Sequence, residues 1–179
     1  FSPLTAEALP ENIAGLYLGG GYPELHAEQL QTNASLRQQI AEKAAAGLPI
    51  YAECGGFMYL CAALDERPMC GVFPAQTRML TRRRALGYRQ VELTADNLLG
   101  PAGARVRGHE FHYSDVDMPA TIQRCYQLSR RGGEQLGAEG YQINNVLGSY
   151  VHLHFASNLQ VAENFVKFCF NHQLKDVKQ

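Results

Sequence analysis

Six consecutive residues, Tyr51-Ala52-Glu53-Cys54-Gly55-Gly56, carry the strongest chemical signal in the sequence. An apolar run ends, one polar residue follows, and a cysteine stands directly before two glycines. A sharp strand-to-helix turn is crowded, so it needs small residues around a nucleophile. Such a turn points the sulfur out at the carboxyl end of a sheet, where open α/β folds bind ligands. Backbone N–H groups and the dipole at the helix start favour a thiolate there. The bland alternative is a buried structural cysteine. The flanking glycines favour a nucleophile at Cys54. Cys61, Cys70, Cys125 and Cys169 lack that context.

A thiolate needs a base. His152 and His154 lie in Ser149-Tyr150-Val151-His152-Leu153-His154-Phe155, where strand alternation puts both imidazoles on one face. An imidazole can accept and return a thiol proton near neutral pH. The alternatives are a pair of hydrogen-bonded strand histidines or a zinc site. No further cysteine or carboxylate stands at ligand spacing, so no metal is expected. Gly19-Gly20-Gly21-Tyr22-Pro23-Glu24 supplies a third element, since amides freed by Gly20 and Gly21 can face an oxyanion and Gly55 can add another. Alone, a glycine triplet is usually only a turn. It is not a phosphate loop, because no Lys-Ser or Lys-Thr follows at the required spacing.

These groups must be positioned by the surrounding elements. Residues 13–18 and 48–52 read as buried strands, 33–46 and 55–64 as helices, with Asn33 and Gly47 as caps. That alternation predicts a parallel sheet covered by helices. Residues 90–94, 105–113, 121–128, 142–145 and 149–155 read as further strands. Residues 161–173 read as a closing helix, with Val161, Phe165 and Phe168 at helical spacing. One domain over 1–179 is expected, with no repeat and no linker.

Composition narrows the class. The 179 residues are 46% hydrophobic and 18% charged, which excludes disorder as the main reading. Sixteen basic against seventeen acidic residues give a net charge of -1, so no global field points to nucleic acid or an anionic membrane. No apolar run reaches the roughly eighteen residues of a membrane helix. Five cysteines without a C-x-x-C pair read as a reducing compartment, and a cytoplasmic location is expected. The chain starts at Phe1 without a Met, and a piece of a longer protein is the expectation.

Five motifs, GLYLGGGYPELHA, LPIYAECGGFMYL, LGYRQVEL, GHEFHYS and GSYVHLHF, span residues 15–155 in that order. Together they resemble a class I glutamine amidotransferase domain of the triad type, in the branch of the cobyric and cobyrinic acid synthases. The resemblance implies an α/β, flavodoxin-like fold, with a mostly parallel sheet flanked by helices. It implies an enzyme amidating the a and c carboxylates of the corrin precursor cobyrinate, using glutamine, ATP and magnesium. Cys54 takes the place of the nucleophile that forms a glutamyl thioester, and His152 that of the base. Glu110, His112 and the Tyr113 backbone fall beside the family's glutamine pocket. A hydrogen-bonded His–Glu pair stabilising the sheet is the competing reading of Glu110 and His112.

The common triad places a carboxylate two residues after the histidine. Here that position is His154, a candidate orienting residue without the charge. The family's ATP- and magnesium-binding ligase domain precedes the amidotransferase domain and is absent from this chain, which itself needs no cofactor. The missing start is expected to leave residues 13–18 on an open edge, giving self-association and weak or no glutaminase activity. Arg67, Arg78, Arg82, Arg83, Arg84 and Arg89 fall in an acid-free stretch that suits corrinoid carboxylates, or else a solvated loop. Rival expectations are another acceptor, nickel-sirohydrochlorin or hydrogenobyrinate, or a non-catalytic interaction module.

Overall fold

The computed structural model describes residues 1–176. The first half is built around a short parallel core. Strand β1 (Leu16–Leu18) is followed by helices α1 (Ala27–Thr32) and α2 (Ala34–Ala45), strand β2 (Ile50–Glu53) and helix α3 (Gly55–Leu60). The Asn33 side chain accepts the Leu36 N–H at the start of α2, and Gly47 ends the segment at φ +95°. Leu36, Ile40 and Ala44, four residues apart, form the buried stripe of α2. β2 is buried along its whole length between β1 and β11 (Val146–Ser149), parallel to both.

The remaining strands are β3 (Cys61–Leu64), β4 (Arg67–Pro68), β5 (Phe73–Met79), β6 (Ala85–Leu93), β7 (Arg105–His112), β8 (Ser114–Asp117), β9 (Gln123–Ser129), β10 (Gln135–Ile143) and β12 (His152–Leu153). Helix α4 (Leu159–Asp176) closes the described chain. The main sheet has the order β1-β2-β11-β10-β9-β6-β7-β12, and a second sheet the order β4-β3-β5-β8.

The glutamine amidotransferase architecture expected from the motifs is present, but the sheet is mixed rather than mostly parallel. Parallel pairing is confined to β1–β2, β2–β11 and β3–β5. From β11 outward every neighbour is antiparallel, because β6–β7 and β9–β10–β11 return directly on themselves. Three local expectations also change. The helix expected over 55–64 ends at Leu60, and Cys61–Leu64 forms β3 of the second sheet. Of residues 142–145, Gln142 and Ile143 end the longer strand β10, and 144–145 make the β10–β11 turn, with Asn144 at φ +50°. Residues 149–155 are split between two strands of one sheet.

That split reveals the shape. Only Tyr150 and Val151 separate β11 from β12, a reach of about 11 Å. Yet the two strands stand third and eighth in the sheet, about 24 Å apart if it were flat. The sheet must therefore curl until its β12 edge returns beside β2. The Leu153 N–H closes the curl by donating to Glu53 Oε1 at 2.7 Å. Gly108 of β7 is required at this seam, since a Cβ there would overlap the His152 carbonyl and Val151. Val161, Phe165 and Phe168 of α4 pack on the cluster around Tyr51, Leu147 and Val151, as their spacing predicts.

Candidate active site

β2 and α3 meet at Cys54, whose backbone lies at φ +46°, ψ −106°. A non-glycine residue in this region costs about 1–3 kcal/mol and persists only where the surroundings impose it. Here the Cys54 N–H donates to Ser149 O at 2.7 Å, and its carbonyl accepts the Met58 N–H at 2.9 Å. The Ser149 end of β11 is itself fixed by buried Glu139, which accepts from the Ser149 hydroxyl and the Tyr150 N–H. The elbow read from the sequence is thus a strained turn held from both sides.

The glycines explain how closely the chain wraps this turn. A Cβ on Gly55 would lie 2.6 Å from the Gly21 carbonyl oxygen, and one on Gly56 would overlap the Leu18 carbonyl. A Cβ on Gly20 would overlap the His152 ring. The Gly19–Gly21 loop, the elbow and His152 are therefore packed on one another, although far apart in sequence. Gly19, Gly20, Gly21, Tyr22, Gly55, Gly56 and Tyr59 also line a cavity of about 420 Å³.

Cys54 is 6% exposed, with its sulfur 4.0 Å from the Phe111 carbonyl. Burial pushes its thiol up to about 11; the Gly55 N–H draws it down, while Glu24, Glu53 and Glu110 raise it further. The expected resting thiolate is therefore replaced by a thiol. α3 has only six residues, and its dipole does not offset the desolvation. Cys125 is also pushed to about 11 and Cys70 to about 12, both chiefly by burial. What distinguishes Cys54 is its turn and its neighbours.

His152 is partly open, with 23% of its side chain exposed. Burial, then the charges of His109 and His112, hold its imidazole below the usual value. Its ring stacks on His109 at 4.7 Å, the residue paired with it in the β7–β12 register. His154 does not accompany it at the elbow. Its N–H donates to Arg107 O, and its side chain lines a separate cavity of about 670 Å³ with Tyr88, Arg89, Arg107, His109 and Arg131.

Glu110 and His112 lie on the buried face of β7 as a finished network. Glu110 is ion-paired to Arg89 and stands 3.7 Å from His112 Nε2. Burial pushes the Glu110 carboxyl up, but His112 and Arg89 more than offset it and leave it below its ordinary range. His112 Nδ1 is 2.9 Å from Ser114 O, and its ring stacks on Tyr150 at 3.9 Å. Tyr113 is exposed, with its carbonyl taken by the Leu80 N–H. Of the six arginines in the acid-free stretch, Arg89 is buried against Glu110, and Arg84 pairs with Asp115 at the surface.

The sequence reading passed over Glu53 and His109. Glu53 is 3% exposed and accepts from Tyr17 Oη at 2.8 Å, Tyr51 Oη at 2.7 Å and the Leu153 N–H. Burial pushes its carboxyl up, against the pull of those three donors. Its signal was a carboxylate inside an otherwise apolar strand, which only a built network makes tolerable. Among the described residues, no three His, Cys, Asp or Glu side chains come together to hold a metal ion. No helix among them is long and apolar enough to cross a membrane.

A strained strand-to-helix turn at Cys54, packed on a glycine loop and on a histidine from the far sheet edge, is the arrangement expected of the glutamine amidotransferase class. A crystal structure of a glutamine amidotransferase superimposes with a TM-score of 0.62 at 15% identity, covering 89% of this chain and 80% of that one. PurLQS from Thermotoga maritima gives 0.58 at 16% identity, covering 90% and 79%. Within that class, the chain belongs to the CobB/CobQ-like glutamine amidotransferase domain family, which it matches over residues 1–160. It is 48% identical over 177 residues to the cobyrinate a,c-diamide synthase of Syntrophotalea carbinolica, covering 94% of this chain. It is 44% identical over 169 residues to the hydrogenobyrinate a,c-diamide synthase of Streptomyces coelicolor, again covering 94%. The chain spans 39% of the first relative's length and 34% of the second's.

Proposed function

We propose that this chain is the glutaminase part of a cobyrinate a,c-diamide synthase. His152 takes the proton from Cys54, and the sulfur attacks the side-chain amide carbon of glutamine. The Gly55 N–H and the amides of Gly20 and Gly21 stabilise the developing oxyanion. The proton on His152 passes to the departing nitrogen, and ammonia leaves a glutamyl thioester. Water, activated by His152, then attacks the thioester, releasing glutamate and restoring the thiol. The ammonia serves the amidation of the a and c carboxylates in a ligase domain of the same polypeptide.

ATP and magnesium belong to that domain. The glycine loop of this chain is not followed by the Lys-Ser or Lys-Thr of a phosphate loop, which supports placing the nucleotide in the ligase domain. The observation that carries the reading is the Gly20–His152 and Gly21–Gly55 packing around Cys54. Hydrogenobyrinate is the second acceptor to be weighed, on the 44% identity to the Streptomyces coelicolor enzyme.

The test uses an electrophilic glutamine analogue and mass spectrometry. Label on Cys54 and none on Cys61, Cys70, Cys125 or Cys169 is expected. In the polypeptide carrying the ligase domain, Cys54→Ser is expected to abolish glutamine use and spare activity with free ammonia. Loss of both would assign Cys54 a structural part.

A further inference from the structure

We propose that Glu53 is the positioning residue for His152, supplying from the strand before the nucleophile the carboxylate missing after the histidine. The inference rests on the reading of Cys54 and His152 as the reacting pair. Position 154, where the common triad carries its acid, holds a histidine that lines the outer cavity among Arg89, Arg107 and Arg131. It offers His152 no negative charge. The carboxylate that does face His152 is Glu53, with Oε2 4.0 Å from Nδ1.

The hydrogen bonds of Glu53 leave a place for this contact. A carboxylate has about four acceptor positions, two on each oxygen. Oε1 uses both of its own on the Tyr51 hydroxyl and the Leu153 N–H. Oε2 accepts the Tyr17 hydroxyl and retains one, on the oxygen nearest Nδ1. All three donors are neutral, and none of them forms an ion pair with the carboxylate; the charge that reaches it besides His152 is that of His109. The Leu153 bond also fixes the backbone immediately after His152 to the same carboxylate. Glu53 and Cys54 are consecutive, so the end of β2 sets both the nucleophile and the group that aligns its base.

The separation is longer than a hydrogen bond, as is common before substrate tightens a site, and about 1 Å of ring movement closes it. With Nδ1–H donating to Oε2, Nε2 is left to accept the thiol proton. The resulting imidazolium then lies against a carboxylate that neither changes protonation nor moves. The other titratable groups facing this pair are Cys54 itself, Tyr17 from β1, Tyr51 from β2, His109 and His112 from β7 and Tyr126 from β9. Of these, His109 and His112 oppose a positive charge on His152, which makes a facing carboxylate the more necessary.

Nitrogen NMR of the unaltered chain reads the inference without any substitution. Neutral His152 is expected in the Nδ1–H form, and a predominant Nε2–H form would overturn the assignment. Glu53→Gln is expected to move the His152 titration to lower pH and to slow haloacetamide alkylation of Cys54 by at least about tenfold. Glu53→Asp, which keeps the charge, is expected to restore the titration toward that of the unaltered chain. An unmoved titration in Glu53→Gln would overturn the inference, as would equal losses in Gln and Asp variants with lowered melting temperatures. None of these readouts requires glutamine, so Cys54 can fail to label with the glutamine analogue while this inference stands, and the reverse.

Discussion

Among the described residues stand two histidine–glutamate pairs of almost equal spacing, His152–Glu53 at 4.0 Å and His112–Glu110 at 3.7 Å. Distance does not distinguish them; what else each group touches does. His112 is buried, with Nδ1 committed to Ser114, Nε2 facing Glu110, and its ring covered by Tyr150. Glu110 is neutralised by the Arg89 guanidinium. His152 is partly open, rests on Gly20 at the elbow, and among the described residues its Nε2 has no hydrogen-bond partner. Glu53 is held by three neutral donors and has no ion-pair partner such as Arg89. A pair with every valence satisfied stabilises a sheet. A pair with one nitrogen and one lone pair unspent can move a proton.

Exchanging the two histidines for alanine breaks this comparison most directly. His152→Ala is expected to lower the glutaminase rate by about 10²–10⁴-fold, the range for a lost general base, with little change in melting temperature. His112→Ala is expected to do the opposite, costing about 1–3 kcal/mol of stability through the stranded Glu110 and Ser114 contacts. His154→Ala should disturb neither strongly, since its side chain lines the outer cavity. A larger rate loss from His154 than from His152 would mean that the base is misassigned.

The Arg89–Glu110 pair gives the next effect. Arg89→Met leaves a buried carboxylate without its cation, a loss of about 3–5 kcal/mol. Glu110 is held below its ordinary value, so its contribution is present above the unfolded value and disappears as pH falls through the folded one. Denaturant unfolding should therefore show the two proteins converging in acid. A constant difference down to that range would mean that Arg89 acts by packing alone.

Gly20→Ala sharpens the comparison from the backbone side. Its Cβ would overlap the His152 ring, and β7 leaves that ring little room to retreat because His109 is stacked on it. A glutaminase loss of about 10–100-fold is expected with the His112 network intact, since misplacing a base by about 1 Å carries that cost. Wild-type kinetics in Gly20→Ala would show that the histidine relaxes freely.

The two pairs also differ in how legible they were. GHEFHYS is a single run, so alternation alone put Glu110 and His112 on one strand face. Cys54 was legible because its constraint is local: a crowded turn needs small neighbours. The α2 caps at Asn33 and Gly47 were legible for the same reason. His152 and Glu53 are far apart in sequence and meet only because the sheet curls, and no periodicity encodes curl. The run 149–155 shows this well. It alternates like one strand, yet Tyr150 and Val151 carry it from the middle of the sheet to the edge. Cys61–Leu64 was read as helix because a short apolar run fits either state, and only its partner β5 decides. The mixed sheet was hidden likewise, since strand direction depends on which connections return at once.

The smallest effect should come from His109, which distinguishes the two pairs by charge alone. His152 is held below the usual imidazole value first by burial and then by His109 and His112. His109→Phe keeps a ring to stack against His152 and removes one of those charges. The folded His152 should then accept a proton more readily, so its titration moves to higher pH. The acid limb of Cys54 alkylation should move the same way, because the base is protonated, and therefore idle, over a wider acid range. His109 also draws the Glu53 carboxyl down, but less than the three hydrogen bonds that hold it, so the neutral-pH rate should hardly change. His112 takes part in its own network with Glu110, Ser114 and Tyr150, which the substitution does not touch. A shift of His152 to lower pH would show that His109 acts by supporting β7 rather than by its charge.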